Sequence, residues 1–235
     1  MSISLDEAVE LTRTGDVWVF RGRSVPDRAI QFTTNSPVNH VGMAVVLDDM
    51  PPLMWHAELG RSLPDLWSGT HQRGVQLHEL RDAVSVWANR YGQRAWLRQL
   101  DPPADGEMER AVLRTIARLD GTPFPSTAQL AWRWVRGRVP ALPRPGRLAL
   151  PRPGRPTPQS TPTGATPSTP AERDRALETA YCAEVVAVTY EAMGLLPAGR
   201  RPNWYDPGRF WSGDDLGLAD DARLGSEIEV LVPPR

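Results

Sequence analysis

The sequence predicts an α+β fold, and three observations carry that expectation. Short β-rich runs crowd the first hundred residues, the longer helical periodicities come only later, and the chain closes on one more alternating segment. At 235 residues, with 40% hydrophobic and 23% charged side chains, the chain is long enough for one domain with a full core. A net charge of −1 provides no strong overall field toward nucleic acid or membrane. The single cysteine excludes an internal disulfide framework, and with four histidines it argues against a thiolate zinc knuckle. No run of 18 apolar residues is present, and the opening MSISLDEAVELTRTGDVWVF lacks the basic and continuous apolar regions of a signal peptide. The expectation is one cytoplasmic domain over 1–235.

Element by element, residues 4–13 read as a short helix that Gly15-Asp16 breaks, and Val17–Phe20 as a short buried strand. Residues 21–38 are polar and hold no clear element. Residues 39–48 are the strongest strand signal, ended by Asp48-Asp49 and Pro51-Pro52, with Leu53–Glu58 as its hairpin partner. Val75–Leu77, Ser85–Trp87 and Ala95–Arg98 are further short strand candidates. Over 106–119, Met108, Val112, Ile116 and Leu119 make one apolar helical stripe, and a second helix is expected at 126–137. Trp132 and Trp134, two apart, cannot share its inner face. Ten prolines then fall between Pro140 and Pro170, among them two copies of PRPGR, so 138–171 reads as a disordered insertion. Helix resumes over 173–195, an irregular RPNWYDPGRFW follows, and Glu227–Val232 alternates as a final strand at a sheet edge.

The chemistry is expected around Cys182, in TAYCAEVVAVTYEAMG. With Thr179 as N-cap the thiol falls in the first helical turn, where free N–H groups and the dipole favour a thiolate. If the helix begins near Glu172 instead, Cys182 is a small core residue. A thiol nucleophile needs a base and the base an orienting partner. His40 opens the best strand, two residues before Gly42, where a missing Cβ permits close approach. His56 and Glu58 share one face of the next strand and are the candidates to orient His40. His71 and His78 sit in polar sequence and read as surface residues.

Three segments, Gly15–Phe20, Asn39–Val46 and Tyr181–Val186, resemble the NlpC-type branch of the papain-like cysteine hydrolases. With the GD and HVG strands first and the cysteine helix last, the order is similar to the circularly permuted YiiX/YebB-like subgroup, to which lecithin-retinol acyltransferase-type enzymes are related. The resemblance spans residues 14 to about 210, with 138–171 as an insertion. It implies a permuted papain-like fold, its antiparallel sheet packed against the cysteine-bearing helix. It implies Cys182 as nucleophile and His40 as general base and acid. His56 stands where the subgroup often has Glu, with Glu58 as a substitute. The acyltransferase branch usually has Asn before the cysteine and His two after it; Tyr181 and Glu184 place this chain nearer the hydrolases, with Tyr181 a candidate beside the oxyanion.

The expected activity is hydrolysis of an amide, peptide or lipid ester bond through an acyl-thioester. The backbone N–H of Cys182 would serve the oxyanion. No phosphate loop, dinucleotide fingerprint or metal-ligand spacing appears, so neither cofactor nor metal is expected. The partner is a small-molecule, peptide or lipid substrate, with no specific nucleic acid. The alternative is a non-catalytic binding module, or a degenerate hydrolase fold, acting through the insertion. Its prolines and Arg144, Arg147, Arg152 and Arg155 suit an aromatic-lined groove or an anionic surface. Trp18, Trp55, Trp204 and Trp211 are candidates to line an apolar pocket, with core packing the commoner role.

Overall fold

The computed structural model describes residues 1–22, 37–123, 170–198, 204–213, 216–219 and 221–234, with backbone alone over 170–180. Strands are β1 (Ser2–Ser4), β2 (Val17–Arg21), β3 (His40–Val45), β4 (Leu53–Glu58), β5 (Gly74–Glu79), β6 (Arg94–Arg98), β7 (Leu100–Asp101), β8 (Arg223–Leu224) and β9 (Ile228–Leu231). Helices are α1 (Leu5–Leu11), α2 (Leu80–Tyr91), α3 (Gly106–Leu119) and α4 (Pro170–Ala192), with a 3₁₀ turn at Pro207–Phe210. Seven strands form one sheet in the order β1-β9-β6-β2-β3-β4-β5, and β7 pairs with β8 apart from it. Every neighbouring pair in the large sheet is antiparallel except β1 with β9. The architecture is α+β with a mostly antiparallel sheet.

Register decides what each face of that sheet carries, because directly opposed residues share a face. Val17, Met43, Trp55 and Leu77 line up across β2 to β5, and so do Ala44, Met54 and His78 on the other face. The first face packs against α4: Val41, Met43, Val45, Trp55 and Leu77 join Tyr181, Cys182, Val185, Val186 and Tyr190 in one apolar cluster. The second packs against α1 and α2, where Trp18, Phe20, Ala44, Met54 and Leu97 meet Leu80, Ala83, Val84 and Trp87.

Local chemistry sets the helix ends. Ser4 Oγ accepts from the Glu7 N–H at the start of α1, and the Asp105 carboxylate accepts from the N–H groups of Glu107 and Met108 at the start of α3. The Gly15-Asp16 turn before β2 is built for closeness. Gly15 has φ of +91°, and a Cβ there would lie 2.9 Å from a Leu100 methyl. Asp16 Oδ2 and Oδ1 accept from the backbone N–H groups of Arg13 and Leu100, both at 2.8 Å. Burial raises the pKa of this carboxyl to about 6, while those donors and the Arg13 charge pull it back. On the α4 side, Tyr190 OH donates to the Gly15 carbonyl at 2.5 Å, and Trp55 Nε1 donates to Thr189 Oγ1 at 3.0 Å.

Several expectations change. Ser85–Trp87 is the middle of α2: Leu80, Ala83, Val84 and Trp87 recur at helical spacing and bury together, which a three-residue window cannot reveal. The closing strand, β9, lies between β1 and β6, because the amino-terminal Ser2–Ser4 pairs outside it. The strands expected first, β2 to β5, are all present: β4 has its expected bounds, β2 and β5 run longer, and β3 is shorter, His40–Val45 against the expected 39–48. The helix expected at 126–137, and the 138–171 insertion up to residue 169, lie outside the described residues. No described helix is long and apolar enough to cross a membrane.

Candidate functional site

Five polar side chains gather on the α2 face of the sheet. His40 is the first residue of β3, and the strand end is held by Asn39, whose Oδ1 accepts from the Gly22 N–H at 2.8 Å and whose N–H donates to the Phe20 carbonyl at 2.9 Å. His56 and Glu58 alternate with Trp55 and Ala57 along β4, so they emerge opposite those core residues. On β5, Gln76 lies directly across from His56, and His78 across from Met54. His78 is thus the diagonal neighbour of His56. Gly42 makes room among them: a Cβ there would come 2.4 Å from Met54 Sδ and 3.3 Å from His56 Cβ. The close approach expected at this glycine is therefore made by side chains of β4.

Helix α2 closes the group from above through Trp87. Its ring centroid is 4.9 Å from that of His40 and 4.8 Å from that of His56, both near edge-on. The His40 and His56 rings are themselves edge-to-face at 5.4 Å. His56 Nε2 and His78 Nδ1 are 3.0 Å apart, a hydrogen bond whose donor depends on the tautomer. Glu58 is fixed by Ser62, whose Oγ donates at 2.6 Å and whose N–H donates at 3.3 Å. The group is nearly dry: His56 is fully buried, while His40 and Glu58 keep 6% and 5% exposure and so stand nearest to solvent.

Burial is the largest influence on these imidazoles and keeps them neutral. Desolvation, with His78 nearby, lowers the His40 pKa to about 3. His56 is pushed well below the ordinary histidine value by burial and by both neighbouring histidines. His78 is lowered to about 4 by burial, partly countered by Asp65. Glu58 is shifted upward by the same desolvation, opposed by its hydrogen bonds from Ser62 and Trp87. His40 Nε2, His56 Nδ1 and Gln76 Oε1 are buried with no hydrogen-bond partner. Each such orphan costs about 1–3 kcal/mol. A neutral imidazole with an unengaged nitrogen can accept a proton or bind a metal ion.

The structure thus brings together three of the residues singled out in the sequence, His40, His56 and Glu58, and adds two that were missed. His78 is 2% exposed inside β5, not a surface residue. The alternation Val75-Gln76-Leu77-His78 carried the signal, since it matches the apolar-in pattern of Trp55-His56-Ala57-Glu58. Trp87 was hidden by the strand reading of Ser85–Trp87.

The thiol is elsewhere. Cys182 is fully buried in the cluster between the sheet and α4, beside Tyr181 and Ala183, on the side where Val41 and Met43 point. His40 is in the ring stack with Phe20, His56 and Trp87 on the other side. Cys182 also does not open its helix. α4 is helical from Pro170, so Thr179 is not an N-cap, and the Cys182 N–H lies beyond the first turn whose N–H groups are left unpaired. The dipole-activated thiolate and the oxyanion role for that N–H both depended on a helix starting near 179. The good helix-forming run ERDRALETA extends it instead. Of the tryptophans proposed for a pocket, Trp18 and Trp55 are wholly buried core residues, and Trp211 packs edge-on to Trp96 at 5.4 Å.

No protein-family model matches this sequence, and no curated protein matches it. Among solved structures the chain is similar to the crystal structure of metalloprotein YiiX from Escherichia coli O157:H7, at 22% identity and a TM-score of 0.37. The match covers 49% of this chain and 54% of that one, so this chain spans about half the length of the structure it resembles. At that level of overlap the likeness carries no argument, and the site stands on its own side chains.

Proposed function

We propose that this chain is a hydrolase of an amide, peptide or lipid ester bond, and that its proton-transfer chemistry resides in the histidine–carboxylate group under α2. The observation that supports this reading is the His40 ring. It is neutral, its Nε2 is buried without a partner, it packs against a second imidazole, and the residue as a whole keeps 6% exposure where His56 keeps none. Such a nitrogen can take a proton from an attacking water and return it to the leaving group. His56 and Trp87 hold the ring from two sides, and Glu58, fixed by Ser62, is the group's carboxyl. Within this reading the fold is a permuted papain-like one, supported by the order of the GD turn, the histidine strand and the cysteine helix along the chain.

The acyl-thioester route assigned by the resemblance requires Cys182 Sγ within hydrogen-bond reach of His40. Here the sheet stands between the two side chains, so the geometry favours water as the nucleophile. A panel of chromogenic acyl esters and aminocoumarin amides tests this with the full chain. Turnover of a panel member is expected to fall at least about 100-fold in His40→Gln and to survive in Cys182→Ala. Turnover lost in Cys182→Ala and kept in His40→Gln would overturn the reading, and so would no turnover of any panel member by the wild type.

A further inference from the structure

We propose that His56, Glu58 and His78 form a binding site for one divalent transition-metal ion, with Zn²⁺ the best fit. Each of the three offers one ligand atom, and those atoms lie within 4.8 Å of one another. Two imidazole nitrogens and a carboxylate oxygen are a donor set that Zn²⁺ favours, and three protein ligands leave a fourth position open. With Zn–N and Zn–O bonds of about 2.0–2.1 Å, ligand atoms of a tetrahedral site stand about 3.3 Å apart. His56 Nε2 and His78 Nδ1, at 3.0 Å, already have nearly that spacing.

The backbone supplies the arrangement, not chance contact of long side chains. His56 and Glu58 share a face two residues apart on β4, and β5 presents His78 diagonally to His56. Ser62 holds Glu58 from behind through both its hydroxyl and its N–H, the kind of outer support that orients a ligating carboxylate. Among the described residues no lysine or arginine is paired with Glu58, and no carboxylate is hydrogen-bonded to His56. The buried carboxyl thus has hydrogen-bond donors but no cationic partner, and a dication bound between it and the two imidazoles would supply one. The neutrality of the rings, a consequence of burial, leaves their lone pairs available. Binding needs a tautomer change, in which the ring that donates in the His56–His78 hydrogen bond moves its proton to its outer nitrogen, and a contraction of the group from its 4.8 Å span.

The test uses the full chain, stripped with a chelator and exchanged into buffer, then titrated with Co²⁺ followed by visible absorption and with Zn²⁺ by calorimetry. One equivalent is expected to bind, with the spectrum of a low-coordinate N/O site, and Zn²⁺ should raise the thermal midpoint. His78→Ala should weaken binding by at least about 100-fold, the upper end of what even an outer-shell loss costs. Should His78→Ala fail to fold, Glu58→Gln answers in its place, since it keeps the shape and can still accept from Ser62 while losing the charge. His71→Ala, at an exposed histidine outside the group, should bind as the wild type does. Saturation at one equivalent without turnover of any ester or amide would leave this site standing and remove the hydrolase reading. Wild-type protein that fails to bind one equivalent would overturn the proposal. So would binding unchanged in both His78→Ala and Glu58→Gln, or binding lost in His71→Ala.

Discussion

The two faces of the central sheet are made from the same strands and behave as different materials. Toward α4, alternate residues of β2 to β5 are Val, Met, Trp, Leu and Ala, and the one hydrogen-bonding side chain on that stretch of β4, Trp55, is answered by Thr189. Toward α2, the next residues along the same strands include three histidines, a glutamate and a glutamine, several of them without partners. A core that must only be stable looks like the first face. A buried polar group that is incompletely satisfied costs stability, and such costs persist where a site needs them. The comparison sets the partly unsatisfied polar group on the α2 face, where the proposed function rests, against the lone thiol buried in the apolar cluster on the α4 face.

The largest expected effect belongs to the apolar face. Trp55→Ala should destabilise the protein by about 3–5 kcal/mol, because it opens a cavity and leaves the Thr189 hydroxyl without its indole donor. Urea unfolding measures this. A loss below about 1 kcal/mol would mean that this face is not the tightly packed one.

Acid is expected to act on the other face. His40 and His78 are held near 3 and 4, and His56 well below its ordinary value, whereas in the unfolded chain each titrates near about 6.5. Below that value the unfolded chain binds more protons than the folded one, so these histidines stabilise the fold at neutral pH and lose that contribution as pH falls. Asp16, raised to about 6, acts in the opposite sense in the same window, and Glu58, also raised, acts in the same sense as Asp16. Three groups against two leave a net loss of about 1–3 kcal/mol between pH 6.5 and 5. Urea midpoints at the two pH values check the sign, and His40→Gln should flatten the slope. A midpoint that rises on acidification would contradict the neutral-histidine group.

Much of this was legible from local pattern. The alternation in Asn39–Val46 and Leu53–Glu58 was enough to place His40, His56 and Glu58 on paired strands, and the four- and three-residue spacing over 106–119 marked α3. Two kinds of information were not local. The amino-terminal β1 covers β9, a pairing over more than two hundred residues that no window contains. The start of α4 decides whether Cys182 has a free N–H, and Thr179 as a cap competed with a run of good helix formers on nearly equal terms. Nor can register alone say which face a distant helix will cover. His40 and Cys182 are both plausible partners in sequence, and the choice of α4 for the Val41 face and α2 for the His40 face separates them.

That separation is most directly tested by the pH dependence of Cys182 alkylation with iodoacetamide, in the wild type and in His40→Ala. With the thiol buried under α4 and the sheet between, the account predicts slow modification, the same in both proteins and limited by opening of the fold. Rapid modification well below the free-thiol pKa of about 8.5, lost in His40→Ala, would contradict it and restore a cysteine–histidine pair as the reactive centre.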